Sequence, residues 1–507
     1  DVEACIWAVH LAMEFRKQFG RDVIIDAIGY RRFGHNESDE PAYTQPAMYD
    51  AIKSHPTARE LFANKLAAQG VLSAEDANEM VMQSTQTLQE AHKKVKGEKA
   101  DLAEILASLT PAAGEIAQLM PAGKDQLLAW SDEIVAVPEG FQLNKKLQTQ
   151  FERRKSVIKQ KGLVDWGMAE ALAYASLISS GTPVRLTGQD TERGTYSHRH
   201  AVWHDPRSNT EYVPMQHLKT AKASFEIHNS PLSEYACMGF EYGYSTATPK
   251  ALVLWEAQYG DFFNGAQIIV DQFLAAGQAK WGQTSRLTLL LPHGYEGGGP
   301  EHSSARLERF LQLTAENNLR VAYPSTTANH YHLLRMQATS GQGIPLVVMT
   351  PKSLLRLEAS FGTIDDMAAG KFHPVIDDPR FAEGDKSKVE RLLLVTGKMY
   401  YDLTLHDAYT NLQKSAIVRV ELLAPLPAAE LDAIIESYPN LKKIVWVQEE
   451  PKNMGARAYI RRRLIEKKRN KLDIEYIGRP YRASPSEGYP GAHIAEQERI
   501  VTTALAE

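Results

Sequence analysis

Cysteine, long apolar runs and an excess of basic charge are all scarce or missing in this 507-residue chain. Its two cysteines, Cys5 and Cys237, exclude a disulfide framework and fit a reducing compartment. No apolar run approaches the roughly 18 residues of a membrane helix, so we expect no membrane contact. The formal net charge of −5 gives no general attraction to nucleic acid. The composition is that of a globular protein with roughly three domains.

Two familiar ligand signatures are also missing. Glycines 297–299 have neither the Lys-Ser/Thr ending of a phosphate-binding P-loop nor the spacing of a dinucleotide fingerprint. His198, His200 and His204 lie close together, but their spacing matches no usual zinc signature. We therefore predict no metal ligands in this chain. A polar surface loop and a mobile active-site loop both remain open for the histidine-rich segment.

Strand and helix patterns alternate through much of the chain. "DVEACIWAVHLAMEFRKQFG" predicts an amphipathic helix rather than a signal peptide, residues 22–30 predict a buried strand, and residues 56–160 predict helices. Between residues 163 and 351, strands are predicted at "TPVRLTGQD", "PKALVLWEAQYG", "RLTLLLPHG", "NLRVAYPS" and "IPLVVMTP". Helical patterns between them indicate a parallel α/β sheet covered on both faces. A second alternating block, from about residue 388, predicts a smaller α/β domain.

Polar side chains follow four of these strands, in "GQDTERG", "EAQYGDF", "PHGYEGGGPEH" and "YPST". Ligands of parallel α/β sheets bind outside the carboxyl ends of the strands. The coincidence of polar residues at these ends therefore indicates an enzyme site.

Glu234 lies at the head of an otherwise apolar helix in "HNSPLSEYACMGFEYGY". We expect Ser230 to be the N-cap and Pro231 the first helical residue. A carboxylate in that first turn is stabilised by about 0.3–1 kcal/mol through the helix dipole. Local sequence alone thus favours a structural role for Glu234 over a catalytic one.

Several neighbouring residues also have two interpretations. Phe262 could stack on a planar heterocycle beside Gln258, or it could be a core residue near turn-forming polar groups. His293 and His302 flank a glycine-rich loop, which favours acid–base work for them. His35 follows the first predicted strand beside two arginines, which suits phosphate contact, although a polar loop with local ion pairs is an equal alternative.

Long ordered motifs then place these residues in one context. They are "GYRRFGHNESDEP", "LTGQDTERGTYSHRHAV", "LSEYACMGFEYGYSTA", "LVLWEAQYGDFFNGAQIIVDQF", "LLPHGYEGGGPEHSSARLERFLQL", "MTPKSLLR", "TGKMYYDL" and "WVQEEPKNMGA". Together they resemble the E1 component of 2-oxoglutarate dehydrogenase, which depends on thiamine diphosphate. The resemblance extends over the whole chain and is weakest between residues 60 and 160.

The resemblance implies the fold class and a set of domains. It predicts a thiamine diphosphate-binding α/β fold with parallel sheets covered by helices, plus a transketolase C-terminal-like α/β domain. The expected divisions are the end of a diphosphate-binding domain, a helical connecting region, a pyrimidine-binding domain and the C-terminal domain, at residues 1–55, 56–160, 161–360 and 361–507.

The resemblance also implies roles for the candidate residues. Glu234 would hydrogen-bond N1′ of the cofactor's aminopyrimidine and promote loss of the C2 proton. Phe262 would stack on the pyrimidine with Gln258 nearby, and His35 would approach the diphosphate. His302 is the first acid–base candidate and His293 the second. His198 and His200 would be loop residues near the lipoyl entrance.

One departure qualifies this prediction. The family's Gly-Asp-Gly/Ala motif ending in Asn, which holds Mg²⁺ and the diphosphate, does not occur in the chain. We therefore expect a C-terminal portion of the enzyme, with the Mg²⁺ ligands in a missing N-terminal part.

The implied activity is oxidative decarboxylation of 2-oxoglutarate with succinyl transfer to the lipoyl group of an E2 partner. The implied assembly is a homodimer in the bacterial cytoplasm or the mitochondrial matrix. A 2-oxoadipate dehydrogenase E1 is the alternative enzyme, with transketolase a weaker one. A non-catalytic portion that docks E2 is the alternative of another class.

Overall fold

The computed structural model describes residues 1–36, 38–97, 122–341, 343–381, 384–466 and 472–506. The chain divides into two compact units, residues 1–104 and 105–507. The helices of the first unit are Val2–Phe19, Pro46–Ser54, Ala58–Ala68 and Ala74–Gly97, with a 3-10 turn at Pro41–Tyr43. The predicted amphipathic helix at the start is therefore present. Part of the predicted helical connecting region, residues 98–121, lies outside the described residues.

The prediction of a buried strand over residues 22–30 is wrong. This segment is irregular, and Ile24 and Ile28 expose 94% and 93% of their surface. A strand requires a neighbour for its backbone hydrogen bonds. The described residues of the first unit contain no strand, so the apolar segment has no neighbouring strand to pair with.

A seven-stranded sheet forms the centre of the second unit. In spatial order its strands are Leu422–Ala424, Arg320–Ala322, Leu346–Thr350, Thr288–Pro292, Leu252–Glu256, Val184–Gly188 and Phe225–Asn229. Every pairing is parallel except the first, which is antiparallel. All five strands predicted between residues 163 and 351 are thus confirmed. Phe225–Asn229 is an additional edge strand that the sequence patterns did not predict.

Helices cover this central sheet. They are Lys124–Ile134, Lys145–Lys161, Trp166–Ser179, Glu234–Ala247, Gln267–Ile269, Gly277–Trp281, Leu307–Leu313, Thr327–Thr339 and Ile364–Ala369. Trp166–Ser179 is buried along almost its whole length, as expected for an apolar helix inside a layered α/β domain. Two short antiparallel pairs lie outside the sheet, at Leu163–Val164 with Gly362–Thr363 and at Trp203–His204 with Glu211–Tyr212.

One predicted helix is broken into pieces. The segment "GAQIIVDQFLAAGQAKW" contains the end of a 3-10 turn at Gly260–Ala266, a short helix, a π-turn at Val270–Leu274 and a last helix. Gly260 is the first residue of that 3-10 turn. A Cβ at Gly260 would lie 2.5 Å from both the Pro292 carbonyl oxygen and the Ala305 Cβ. Close packing against the neighbouring loop therefore leaves no room for a side chain at this position.

A second sheet has the strand order Val375–Ile376, Ser415–Val420, Arg391–Val395, Lys443–Pro451 and Asp473–Arg479. Its long strands are parallel, and only the edge strand Val375–Ile376 is antiparallel. The remaining helices are Met399–Thr404, Ala428–Glu436, Arg457–Glu466 and Pro490–Leu505. The predicted α/β class and the predicted second α/β block are both confirmed.

The two sheets share a core. Leu422–Ala424 directly follows a strand of the second sheet, yet pairs with Arg320–Ala322 of the first. A single apolar cluster contains residues of both sheets, among them Leu289, Val347, Leu392 and Val418. None of the described helices is both long and apolar enough to cross a membrane.

Candidate functional site

Three central strands end side by side and carry polar loops. Gly188 lies in register with Glu256, and Glu256 in register with Leu290. Because the strands are parallel, the residues after Gly188, Glu256 and Pro292 emerge at the same sheet edge. This edge brings together most of the residues that the sequence singled out.

Glu234 is the first residue of helix Glu234–Ala247 and is half-buried. Ser233 is the N-cap, since its Oγ accepts a hydrogen bond from the Ala236 amide at 3.2 Å. The prediction that Ser230 caps the helix and that Pro231 is its first residue is wrong, because the helix begins at Glu234 and the Ser230 hydroxyl donates to the Pro231 carbonyl. The side-chain amide of Gln189 donates from Nε2 to Glu234 Oε1 at 3.0 Å. A Cβ at Gly265 would lie 3.2 Å from Glu234 Oε2.

Gln258 and Phe262 lie on the next loop. Gln258 Nε2 donates to Asp190 Oδ2 at 3.2 Å, so this loop is tied to the residue after Gln189. The half-buried Phe262 ring lies edge-on to Tyr259 and His302, with centroid distances of 5.5 and 5.9 Å. Phe262 is thus not enclosed in the core, in contrast to its buried neighbour Phe263. The sheet edge offers an aromatic ring, an amide and a carboxylate to one region.

His302 lies in the loop formed by residues 293–305. Its half-buried imidazole lies edge-on to Tyr259 with centroids 4.3 Å apart. The Lys352 ammonium donates to the His302 carbonyl at 2.7 Å. Asp261 Oδ1 accepts from the amides of Ser303 and Ser304 at 3.3 and 3.0 Å. Burial raises the pKa of Asp261 and lowers that of Lys352.

His293, at the start of the same loop, is buried, with 1% of its surface exposed. Its Nδ1 accepts from the Ala305 amide at 3.0 Å, so its Nε2 carries the proton and donates to Glu450, also at 3.0 Å. Burial lowers the pKa of His293, but the hydrogen bond and charge of Glu450 raise it by more. Although Glu450 favours protonation of the ring, a second proton on Nδ1 would break the hydrogen bond from the Ala305 amide, so both contacts coexist only in the tautomer with its proton on Nε2.

His198 and His200 lie in the loop after Gly188. Burial and the neighbouring Arg199 lower the pKa of His198 to about 3, so its imidazole is neutral at physiological pH. Its Nδ1 has no hydrogen-bond partner in the described part of the chain. His200 Nε2 contacts the Ser197 carbonyl at 3.0 Å, and burial lowers the pKa of His200. Gly194 has φ of 78°, and a Cβ there would lie 2.5 Å from the His198 ring.

Arg199 anchors this loop to the sheet. Its guanidinium binds Glu170 on the helix below and Glu256 at the strand end, with N–O distances of 2.6 Å to each. Thr191 Oγ1 donates to Glu256 at 2.8 Å. All of these side chains are buried, so the fully paired arginine neutralises carboxylates that would otherwise be costly. Glu256 is therefore a structural anchor rather than a free acid at the edge.

His35 belongs to the first compact unit. Its amide donates to Asp39 at 2.9 Å, and its Nδ1 lies 3.4 Å from the Arg31 guanidinium. Its predicted contact with a diphosphate stays a prediction. Across the described ranges of both units, no group of three or more His, Cys, Asp or Glu side chains could hold a metal ion.

Sequence reasoning missed three contributors to this region: Gln189, Lys352, and the pair Glu449 and Glu450. Gln189 is separated from Glu234 by 45 positions, and Glu450 from His293 by 157. For Glu449 and Glu450 the sequence signal was "WVQEEP", where two acids end an apolar strand. Acids in that position require partners when buried.

Comparisons with known proteins cover the chain almost completely. Residues 1–104 match the family "Dehydrogenase E1 component", residues 163–358 match "Transketolase, pyrimidine binding domain", and residues 361–505 match "2-oxoglutarate dehydrogenase C-terminal".

Relatives named 2-oxoglutarate dehydrogenase E1 component align over 100% of the chain. They are 48% identical in Geobacillus sp. (strain WCH70), and 47% in both Geobacillus kaustophilus (strain HTA426) and Bacillus cereus (strain AH820). The chain covers 54% of the length of each of these relatives.

Proposed function

Because the chain belongs to the family of 2-oxoglutarate dehydrogenase E1 components, we propose that it supplies the pyrimidine-binding and acid–base part of such an enzyme. The reaction is the oxidative decarboxylation of 2-oxoglutarate with succinyl transfer to a lipoyl group on E2. The observation that carries the proposal is the position of Glu234, half-buried at a helix start on the same sheet edge as Phe262 and His302.

The residues present fit the aminopyrimidine of thiamine diphosphate. The Glu234 carboxylate can accept or share a proton with a ring nitrogen, and the half-buried Phe262 can pack on a planar ring. Gly265 keeps space open beside Glu234 Oε2, where a Cβ would reach 3.2 Å. When bound, thiamine diphosphate would supply a carbon nucleophile and a cationic ring that accepts the electrons released in decarboxylation.

Glu234 would share with the pyrimidine the proton that governs this activation. Its carboxylate lies in the first turn of helix Glu234–Ala247. The Gln189 amide fixes Oε1 by donating to it, which leaves Oε2 directed toward Gly265. The ordered carboxylate can therefore hydrogen-bond a ring nitrogen of the pyrimidine at one defined position.

His302 is the best placed acid–base residue for attack on the 2-oxo acid and for transfer of the acyl group. Its ring is half-buried and packs on aromatic faces, and its backbone is fixed by Lys352. Both ring nitrogens of His293 are already engaged inside the protein. His198 is neutral and His200 binds its own loop, so we assign both to shaping the entrance.

The rest of the assignment concerns partners and location. We propose a homodimer whose pyrimidine and diphosphate sites come from different subunits, with Mg²⁺ held outside this chain. We also propose the division at residues 55, 160 and 360, and a bacterial cytoplasmic location. The bacterial origin of the relatives supports that location.

Glu234→Gln tests the assignment in the complete enzyme. An amide of the same size keeps the packing but cannot exchange a proton with the pyrimidine. We expect turnover to fall by about 10²-fold or more, with an unchanged melting temperature and thiamine diphosphate still bound in calorimetry. Glu211→Gln, at an exposed site, is the control. Near-normal turnover of the Glu234 variant would reject the role, and faster turnover of 2-oxoadipate than 2-oxoglutarate by the wild type would reject the substrate.

A further inference from the structure

The loop that carries His302 is held from the second sheet. Strand Lys443–Pro451 ends beside this loop, and two consecutive carboxylates from it reach across. Glu450 Oε1 lies 3.0 Å from His293 Nε2, and Glu449 Oε1 accepts from the Tyr295 amide at 3.1 Å. Both carboxylates are buried. Two adjacent residues of one domain thus bind the first turn of a loop that belongs to the other.

His293 carries this contact to the far end of the loop. Its Nε2–H points to Glu450, and its Nδ1 accepts from the Ala305 amide. The imidazole therefore bridges the first and last residues of the segment 293–305. Glu450 and the Ala305 N–H select the same tautomer, because a proton moved to Nδ1 would oppose the Ala305 N–H and leave Glu450 without a donor. Both hydrogen bonds of the bridge are made together only in this tautomer.

His302 lies between these two fixed ends. Its carbonyl accepts from Lys352, and its ring packs against Tyr259. None of these contacts holds either nitrogen of the His302 imidazole. The position of the ring against Tyr259 therefore depends on the backbone of the loop, whose ends are joined by His293.

Burial of two adjacent carboxylates requires compensation. Lys398 supplies it, with its ammonium 2.9 Å from Glu449 Oε2 and 2.5 Å from Asp402. Burial lowers the pKa of Lys398, but Asp402 and Glu449 raise it by more, so the lysine stays charged. Glu449 is thereby fixed as an acceptor for the Tyr295 amide, next in sequence to the Glu450 acceptor of His293.

We propose that Glu450, assisted by Glu449, is a positioning residue for His302. It acts through the His293 bridge and touches neither substrate nor cofactor. This inference rests on the proposed acid–base role of His302. It makes the second domain part of the catalytic apparatus, because an acceptor at this point of Lys443–Pro451 sets the geometry of a loop outside that domain.

The test compares two substitutions in the complete enzyme. Glu450→Gln keeps the reach of the side chain and an oxygen that accepts from His293. Glu450→Asp keeps the charge but withdraws the acceptor by one methylene group. Because a displacement of about 1 Å at a catalytic group can cost about 10²-fold in rate, we expect kcat to fall at least about tenfold in the Asp variant. The Gln variant should stay within about threefold of the wild type.

A second readout does not depend on turnover. Hydrogen exchange of the amides in 294–305 should accelerate in Glu450→Asp and remain unchanged in Glu450→Gln. Asp378→Asn is the matched control, because Asp378 is a buried carboxylate of the same domain that pairs with Arg380 rather than with the loop. Equal rates and equal exchange in the two Glu450 variants would overturn the proposal.

His302→Ala separates this inference from the function on which it rests. In that background Glu450→Asp should add no more than about a threefold loss, since its effect passes through His302. A full additional loss would overturn the positioning role. If His302→Ala alone costs less than about tenfold, the acid–base assignment fails, while faster exchange in Glu450→Asp would still show that Glu450 orders the loop.

Discussion

Single side chains at the sheet edge are held in defined protonation states by their surroundings. His198 is neutral because burial and Arg199 oppose its charge. Arg199 itself is charged because Glu170 and Glu256 enclose it. His293 is fixed as one tautomer by two contacts from different parts of the chain. The two residues proposed as acid–base groups, Glu234 and His302, are by contrast half-buried.

The lowered pKa of His198 predicts that the folded protein loses stability in acid. Its pKa is about 3 in the folded chain against an ordinary value of 6.5. A depressed pKa means that the unfolded chain binds the proton more readily, so stability is complete above pH 6.5 and falls between pH 6.5 and about 3. His198→Asn should lose less stability than the wild type over this window, in thermal unfolding at pH 7 and pH 4.5. Exposed His228→Asn should behave as the wild type, and identical pH slopes for all three would contradict the assignment.

At the scale of the element, the start of helix Glu234–Ala247 and the turn opposite it together position the Glu234 carboxylate. Ser233 caps helix Glu234–Ala247, and the 3-10 turn Gly260–Ala266 packs against it. Gly265 lies where a side chain would meet Glu234. The turn passes close to the Glu234 carboxylate on one side and to the loop of residues 293–305 on the other. Its glycines are therefore positions where space is required.

Gly265→Ala should disturb the site with little effect on the fold. The added methyl group would lie 3.2 Å from Glu234 Oε2, tighter than normal contact, so the carboxylate must move. We expect turnover to drop about tenfold or more, since small displacements at a catalytic group are costly.

Gly243→Ala is the control for that substitution. Gly243 lies in helix Glu234–Ala247, and a Cβ there would have nothing within 4 Å. Gly243→Ala should stabilise the protein by about 0.5–1 kcal/mol, measured by urea unfolding. Unchanged turnover in Gly265→Ala would show that the Glu234 carboxylate tolerates displacement.

The central strands of both sheets were predictable, because fully buried parallel strands are continuous apolar runs between turn residues. Residues 22–30 have the same local signal and form no strand, since pairing is not encoded locally. Phe225–Asn229 was missed because it is a short edge strand with a charged and two polar residues. Glu234 and His302 could be proposed from motifs. Glu449 and Glu450 could not, because their function depends on contacts more than 150 positions away.

Over the whole molecule, the two sheets of the second unit are connected by buried polar groups as well as by apolar packing. Glu421, which is fully buried, accepts from the Ser325 amide and hydroxyl at 2.7 and 2.5 Å and from the Asn329 amide at 2.9 Å. It immediately precedes Leu422–Ala424, the strand that pairs with Arg320–Ala322. The site and the second sheet should therefore unfold together.

Glu421→Ala should weaken this connection. It leaves donors of Ser325 and Asn329 without their acceptor, and each buried unsatisfied group costs about 1–3 kcal/mol. We expect lower stability in urea unfolding, with faster hydrogen exchange in both Arg320–Ala322 and Leu422–Ala424. Exposed Glu436→Ala is the control. Faster exchange in only one of the two strands would show that the sheets open independently.

The acids at the end of Lys443–Pro451 have a consequence for how such proteins can be recombined. The matched families divide the chain between residues 358 and 361. An exchange at that junction would separate Glu421, Glu449 and Glu450 from Ser325, Tyr295 and His293. Hybrids joined there would inherit a site from one parent and its supports from the other. The contacting residues on both sides of the junction should therefore be exchanged together, even though the two matched families meet between them.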